Sequence, residues 1–272
     1  MTWRTAIGED TFAAGPGDHP AFGPDAVVRR VDAEAALLLG GGRALLMQLA
    51  HPLVARGVAE HSDFADNPFA RLRRTLDATY TMVFGTSEQA RVAAGRINAV
   101  HQRVTGAGYR ATDPDLLLWV HATLVDTALR VHGRFLGPLS ADDSERYYEE
   151  STALAELLGV PRSAQPPDLG AFRAYVRHMV GSLQVSEDAR RVAHQVLHPP
   201  VPLVIAPLAA LSRHVSVGLL PRPLRTQYGF TWDPARQAAL DAATLAARTF
   251  LPLVPARLRR LPSALAATPA MA

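Results

Sequence analysis

The sequence predicts an all-α fold built as one globular multi-helix domain. Three observations predict it. Apolar residues recur at helical spacing along most of the chain, strand-like alternation is nearly absent, and helix-start pairs such as Asn67-Pro68 and Asp113-Pro114 punctuate it. The chain has 272 residues, 48% apolar and 19% charged, which suits one sizeable core rather than two full domains or a disordered polymer.

Residues 1–30 are rich in Gly, Pro and Asp without a period and read as an irregular arm or a wrapping segment, leaving 31–272 as the helical domain. Residues 33–50 are apolar nearly all round, with Leu37, Leu38, Leu39, Leu45, Leu46 and Leu49, as in a buried helix. Gly40-Gly41-Gly42 should weaken or break it. His51-Pro52 restarts a helix towards Glu60, with proline at its first position. Asn67 as cap and Pro68 start the next, which should stop at Gly85. Ser87 with Glu88 begins a helix reaching about residue 105, before Gly106. Asp113-Pro114 starts a long one, with Leu116, Leu117, Val120, Leu124, Leu129 and Val131 as its apolar positions and Gly137-Pro138 as its end. Ser140-Ala141-Asp142-Asp143 resembles a capping box for a helix to 158. Its two aspartates suit a helix dipole better than a metal. Further helices are expected at 168–183, 186–197, 202–219 and 233–249.

With no cysteine, disulfides, thiolate-ligated haem, iron–sulfur clusters and cysteine nucleophiles are excluded. Ten histidines and the carboxylates remain as metal ligands. All 28 basic residues are arginine, which excludes Schiff-base chemistry and a P-loop lysine. Arginine also explains a pI of 9.7 beside a net charge of only +3, so no nucleic-acid partner is expected. An Ala-, Arg- and Pro-rich chain without lysine fits a high-GC genome such as an actinobacterial one. Esterase, dinucleotide, zincin, EF-hand and di-iron Glu-x-x-His signatures are all absent. Residues 1–17 show no export signal, and Asp32 and Glu34 follow Arg29-Arg30 where a twin-arginine leader needs an apolar run. A cytoplasmic location is therefore expected. The uncharged stretch 192–212 contains His194, His198 and four prolines. It is too broken to span a bilayer but leaves a peripheral membrane contact open.

Four stretches occur in order. They are His51-Pro52 with Gly57-Val58-Ala59-Glu60-His61-Ser62-Asp63-Phe64; Asn67-Pro68-Phe69-Ala70-Arg71-Leu72-Arg73-Arg74-Thr75; Val100-His101-Gln102-Arg103-Val104-Thr105-Gly106; and Asp113-Pro114-Asp115 through Trp119-Val120-His121-Ala122-Thr123-Leu124. Together they resemble the oxygenase family that includes the fungal mycophenolic-acid pathway oxygenase MpaB and the bacterial latex clearing protein, over roughly residues 30–250. The resemblance implies an all-α domain enclosing a haem pocket. It implies non-covalent haem b, with O2 activated at an iron held by one histidine, and oxidation of a hydrophobic small molecule, isoprenoids being one candidate class. By position it implies His101 as the iron ligand and Arg71, Arg74 and Thr75 as the Arg-x-x-basic-Thr motif beside the cofactor. Latex clearing protein has a lysine where Arg74 stands. A guanidinium stays protonated and is a poor iron ligand, so a lysine-capped iron and rubber as substrate are not carried over.

The residues read alone leave more open. Arg71 and Thr75 share a helix face, with Arg74 beside them; that face suits a haem propionate or oxygen species, and equally a solvated basic surface. His101 follows Ile97 and Val100 on a half-apolar helix, where a packed or solvent-facing histidine is the commoner outcome. His121 lies in a strongly apolar helix and needs a hydrogen-bond partner that Asp126, five residues on, does not readily supply. It is the main rival to His101 as iron ligand. Glu60 and His61, with His51, are candidate distal acid–base groups or simply helix-end residues. His132, His178, His194, His198 and His214 read as structural or exposed. The leading function is a haem-dependent oxygenase or peroxidase-like oxidase. The alternatives are a ligand-responsive α-helical transcription regulator, for which residues 1–30 offer no helix-turn-helix pattern, and a haem- or lipid-binding protein without turnover.

Overall fold

The computed structural model describes residues 19–61 and 68–261, and for 68–75 the backbone alone. Thirteen α-helices among them form one globular all-α domain. In order they are α1 (Val27–Asp32), α2 (Gly41–Leu49), α3 (Pro52–His61), α4 (Pro68–Phe84), α5 (Ser87–His101), α6 (Pro114–Phe135), α7 (Ala141–Leu157), α8 (Leu169–Ser182), α9 (Glu187–Leu197), α10 (Ala206–Leu219), α11 (Arg222–Gln227), α12 (Pro234–Phe250) and α13 (Ala256–Arg259). One two-stranded antiparallel hairpin, β1 (Thr105–Gly106) with β2 (Tyr109–Arg110), separates α5 from α6. Its strands are too short to show alternation, so the sequence pattern gave no sign of it. No single helix among the described residues is long and apolar enough to cross a membrane.

Several starts follow the local chemistry. Asp113 accepts a hydrogen bond from the Asp115 amide, Ser140 from Asp143, Asp168 from Ala171 and Asp233 from Arg236. The arm reading of 1–30 needs correction at its end. Ala21 and Phe22 are buried, and α1 begins at Val27 with Val27, Val28 and Val31 fully enclosed. Six residues are too few for an amphipathic period to stand out. Asn67, expected as the cap of α4, lies outside the described residues.

The long apolar stretch 33–50 is not one helix. A 3-10 turn over Ala35–Gly40 gives way to α2 at Gly41. The reason is steric. A Cβ on Gly40 would stand 2.6 Å from a Val131 methyl of α6, and one on Gly42 would stand 2.5 Å from the Ser216 hydroxyl of α10. Glycine at these two positions lets the chain enter between both helices. Arg43 follows immediately and is fully buried. Its Nε donates to the Leu219 carbonyl at the end of α10 (2.8 Å), Nη1 to Thr127 Oγ1 (2.5 Å) and Nη2 to Asp126 Oδ2 (2.6 Å). Farther along α2, Trp119 Nε1 donates to the Met47 carbonyl and the Tyr228 hydroxyl to the Leu46 carbonyl. Side chains from α6 and the end of α11 thus add a second donor to α2 carbonyls that already share the Ala50 amide. α2 is the central strut, packed on α3, α6, α9 and α10.

Truncating Arg43 leaves the largely buried Asp126 carboxylate with only the distant Arg130 Nε, at 3.9 Å. Arg43→Ala should cost about 3–5 kcal/mol of unfolding free energy, and Arg43→Lys should recover little because an ammonium lacks the fork. Urea denaturation measures this. A loss under about 1 kcal/mol, the size of an exposed pair, would contradict the assignment.

Candidate functional site

The first and third motif stretches meet at the hairpin that follows α5, where His61 Nε2 lies beside the Thr105 carbonyl. That helix starts at Ser87, as its signal predicts, with Thr86 as its cap. Thr86 Oγ1 accepts from the Gln89 amide and Gln89 Oε1 from the Thr86 amide, a complete capping box. It stops at His101 rather than near 105, because Thr105 and Gly106 pair with Arg110 and Tyr109 around Gly108, whose φ is +79°. His101 therefore occupies the last turn of α5, half-buried. Its Nδ1 is buried without a hydrogen-bond partner. Burial holds the imidazole below its ordinary pKa, so it is neutral at neutral pH.

The hairpin clamps the end of α3. The Tyr109 hydroxyl donates to Glu60 Oε2 at 2.6 Å, and burial together with that carboxylate pushes the phenol up to about 12. His61 Nε2 lies 3.1 Å from the Thr105 carbonyl oxygen, and its ring meets the Tyr109 ring edge-on at 6.4 Å. Two glycines make room for this phenol. A Cβ on Gly57 would lie 3.2 Å from the ring and one on Gly106 only 2.4 Å from it. The structure thus brings Glu60 and His61 together, on the joint that continues from His101. Both remain solvent-exposed. His51 takes the bland role: its Nδ1 accepts from the Leu53 amide (3.3 Å) at the start of α3.

His121 sits in the middle of α6, buried beside Trp119, Ala122 and Val125. One ring nitrogen is hydrogen-bonded to the Ser151 backbone of α7, while Nε2 is buried without a partner. Burial pulls its pKa down to about 4 against the opposing pull of that bond. Asp126 is committed to Arg43, as the sequence spacing had suggested it would not serve His121. The other histidines are structural or exposed: His132 bonds the Gly137 carbonyl, His194 stacks on His198, and His214 bonds the Arg236 carbonyl.

Arg71, Arg74 and Thr75 lie on α4, whose backbone is continuous from Pro68 to Phe84 and packs along α5 and α1. Their i, i+3 and i+4 spacing puts them on one helical face. Their side chains, like Ser62, Asp63 and Phe64, lie outside the described residues.

Sequence reasoning missed a second group on this side of the fold. Tyr147 of α7 donates to Asp32 Oδ1 at 3.0 Å, at the end of α1. Burial raises the Asp32 carboxyl to about 7; the Tyr147 bond opposes the rise and the Glu150 carboxylate adds to it. Glu150 in turn accepts from the Val28 amide at 2.7 Å. Asp32 also contributes to the raised pKa of Tyr80 on α4. With Asp32 and Tyr147 separated by 115 positions in sequence, no local spacing could announce the pair.

A sequence model of the family described as "ER-bound oxygenase mpaB/B'/Rubber oxygenase, catalytic domain" matches residues 28–249, and the chain belongs to that family. It is 29% identical over 211 residues to "Uncharacterized protein Rv2237" of Mycobacterium tuberculosis and to "Uncharacterized protein Mb2261" of Mycobacterium bovis, covering 72% of this chain and 82% of each relative. No solved structure matches the chain.

The donor chemistry fits a haem iron. A haem iron held by histidine takes a neutral imidazole with an uncommitted ring nitrogen. His101 and His121 are both neutral, and each has a ring nitrogen without a partner. Among the described residues, no three His, Asp or Glu side chains gather as a metal-binding group. A haem iron held by one imidazole would not require such a group.

Asp32 and His121 give opposite pH dependences. The raised Asp32 pKa favours the protonated native form, so its stabilisation is full near pH 4 and lost as pH rises through about 7. The depressed His121 pKa favours the neutral native form, so its contribution is full above pH 6.5 and lost as pH falls towards about 4. Asp32→Asn should therefore raise the melting temperature relative to the parent more at pH 8 than at pH 5. Paired thermal melts at the two pH values check it, and an equal shift at both would contradict the raised carboxyl.

Proposed function

We propose that the protein is a haem-b-dependent oxygenase that uses O2 to oxidise a hydrophobic small molecule, with His101 as the iron ligand. The observation that carries this reading is the position of His101: a neutral imidazole with an unpaired buried nitrogen, within the third of four ordered motifs in an oxygenase-family chain. Haem, when bound, would supply the redox chemistry of oxygen activation, while the protein contributes position and electrostatics.

Each residue has a stated part. His101 would hold the iron as a neutral donor, since its burial disfavours the imidazolium. Arg71 and Arg74, charged at any working pH, would bind the propionates or polarise an oxygen atom, and Thr75 would offer a hydroxyl one turn from Arg71. Glu60 and His61 would hold or pass a proton at the solvent-facing end of α3, with Tyr109 fixing the Glu60 carboxylate. His121, held by Ser151 inside α6, would keep the wall of the site packed and dry. The substrate class is apolar, isoprenoids included. Arg74 in place of lysine speaks against an iron capped by that side chain. The reading places the enzyme in the cytoplasm.

Hemin titration with parallel oxygen-uptake assays tests this. One non-covalent haem should bind per chain, extractable into acidified butanone. His101→Ala should abolish stoichiometric binding, while His121→Ala should keep it and lower stability by about 1–3 kcal/mol. Reversed roles would make His121 the ligand, and a protein unable to take up hemin would overturn the haem reading. Arg71→Ala and Thr75→Ala should each weaken haem binding by roughly one to two orders of magnitude. The exposed Arg177→Ala should change nothing. Equal behaviour of all three would mean that the α4 face is only solvated.

A further inference from the structure

Charge is distributed unevenly along the chain. Residues 1–200 carry 20 arginines against 23 acids; residues 201–272 carry eight arginines against only Asp233 and Asp241. Exposed apolar side chains follow the same division. Of the thirteen large apolar side chains exposed among the described residues, nine lie between Leu203 and Leu258. One group occupies the 3-10 turn Leu203–Ile205 and the start of α10: Leu203 is 92% exposed, Val204 85% and Leu208 59%. The other runs from the end of α12 through the 3-10 turn Leu251–Leu253 to α13: Phe250 is 63% exposed, Leu253 76% and Leu258 71%. α10 packs on α12, so the two groups belong to adjoining elements. Arg213 follows the first group and Arg257 falls within the second, both exposed.

Apolar side chains this exposed are costly in water and mark an interaction surface. Their arginine-rich setting decides among occupants. A second copy docking through the same face would set one basic surface against another, and like charges across an interface oppose association. An anionic lipid surface offers both complements: negative headgroups for guanidinium groups and an acyl boundary for leucine, valine and phenylalanine. The elements carrying the surface are short and proline-broken, so they suit lying in the interface and not crossing it.

We propose that the surface formed by Leu203–Ile205 with the start of α10, and by the end of α12 through α13, docks the protein peripherally on an anionic bilayer. It lies beyond the oxygenase reading and stands whether or not haem binds. It would bring a chain with an apolar substrate to the phase where such a substrate dissolves. Apolar side chains would enter the headgroup boundary while Arg213 and Arg257 contact phosphates.

Vesicle co-sedimentation of the full-length protein tests the proposal. Vesicles of phosphatidylcholine with phosphatidylglycerol should pellet the protein, vesicles of phosphatidylcholine alone should do so poorly, and 0.5 M salt, which shortens the Debye length to about 4 Å, should reduce pelleting. Leu203→Glu with Val204→Glu, and separately Leu253→Glu with Leu258→Glu, should each lower the partition coefficient about tenfold or more. Their thermal melts should match the parent, since these side chains make little packing contact. Absent sedimentation with anionic vesicles, or glutamate variants that bind like the parent, would overturn the proposal. So would light scattering that shows a parent dimer which the same variants turn into monomer, because the face would then belong to a second copy.

Discussion

The fold depends on a charged side chain that has no water around it. Arg43 enters the core on α2 only because glycines at 40 and 42 let the backbone pass within contact distance of α6 and α10. Once there, the guanidinium joins those helices through Thr127, Asp126 and the Leu219 carbonyl. Desolvating a guanidinium is expensive, and only a satisfied fork makes it tolerable. The price is met by geometry: three bonds in three directions admit one arrangement of α2, α6 and α10. α3 and α9 pack on the same strut.

A smaller joint plays the same part nearer the candidate site. Tyr109 holds Glu60 through its hydroxyl and meets His61 at its ring edge, and it fits only because residues 57 and 106 lack a Cβ. Gly57 inside α3 and Gly106 in the hairpin are therefore contact points between the end of α3 and the turn after His101. The first and third motif stretches are held together by packing before any cofactor is considered. Separately, the Asp32–Tyr147 bond ties α1 to α7 on the side where α1 meets α4.

Much of the architecture was legible because its signals are local. Proline after Asn or Asp, a serine or aspartate cap and a terminal glycine placed α3, α4, α6, α7, α8, α9 and α12 close to where they lie. What was hidden required two distant segments at once. Arg43 is one of 28 arginines, and nothing around it in sequence says that Asp126 and Thr127 wait for it. Tyr109 stood outside the motifs, though the glycines that accommodate it stood within them. α1 was folded into the irregular arm because six residues make less than two turns. In the candidate site, His101 and His121 were singled out from motif and apolar context. Their burial and unpaired nitrogens needed three dimensions to appear.

The central claim is that His101 is the imidazole bonded to iron, and resonance Raman spectroscopy of the ferrous, ligand-free holoprotein tests it most directly. An iron–imidazole stretching band should appear, shift when 15N-histidine is incorporated, and persist in His121→Ala. In His101→Gly it should vanish and return with added imidazole, unlabelled in an otherwise 15N-labelled protein. A band that survives the loss of His101 and disappears with His121 would contradict the account.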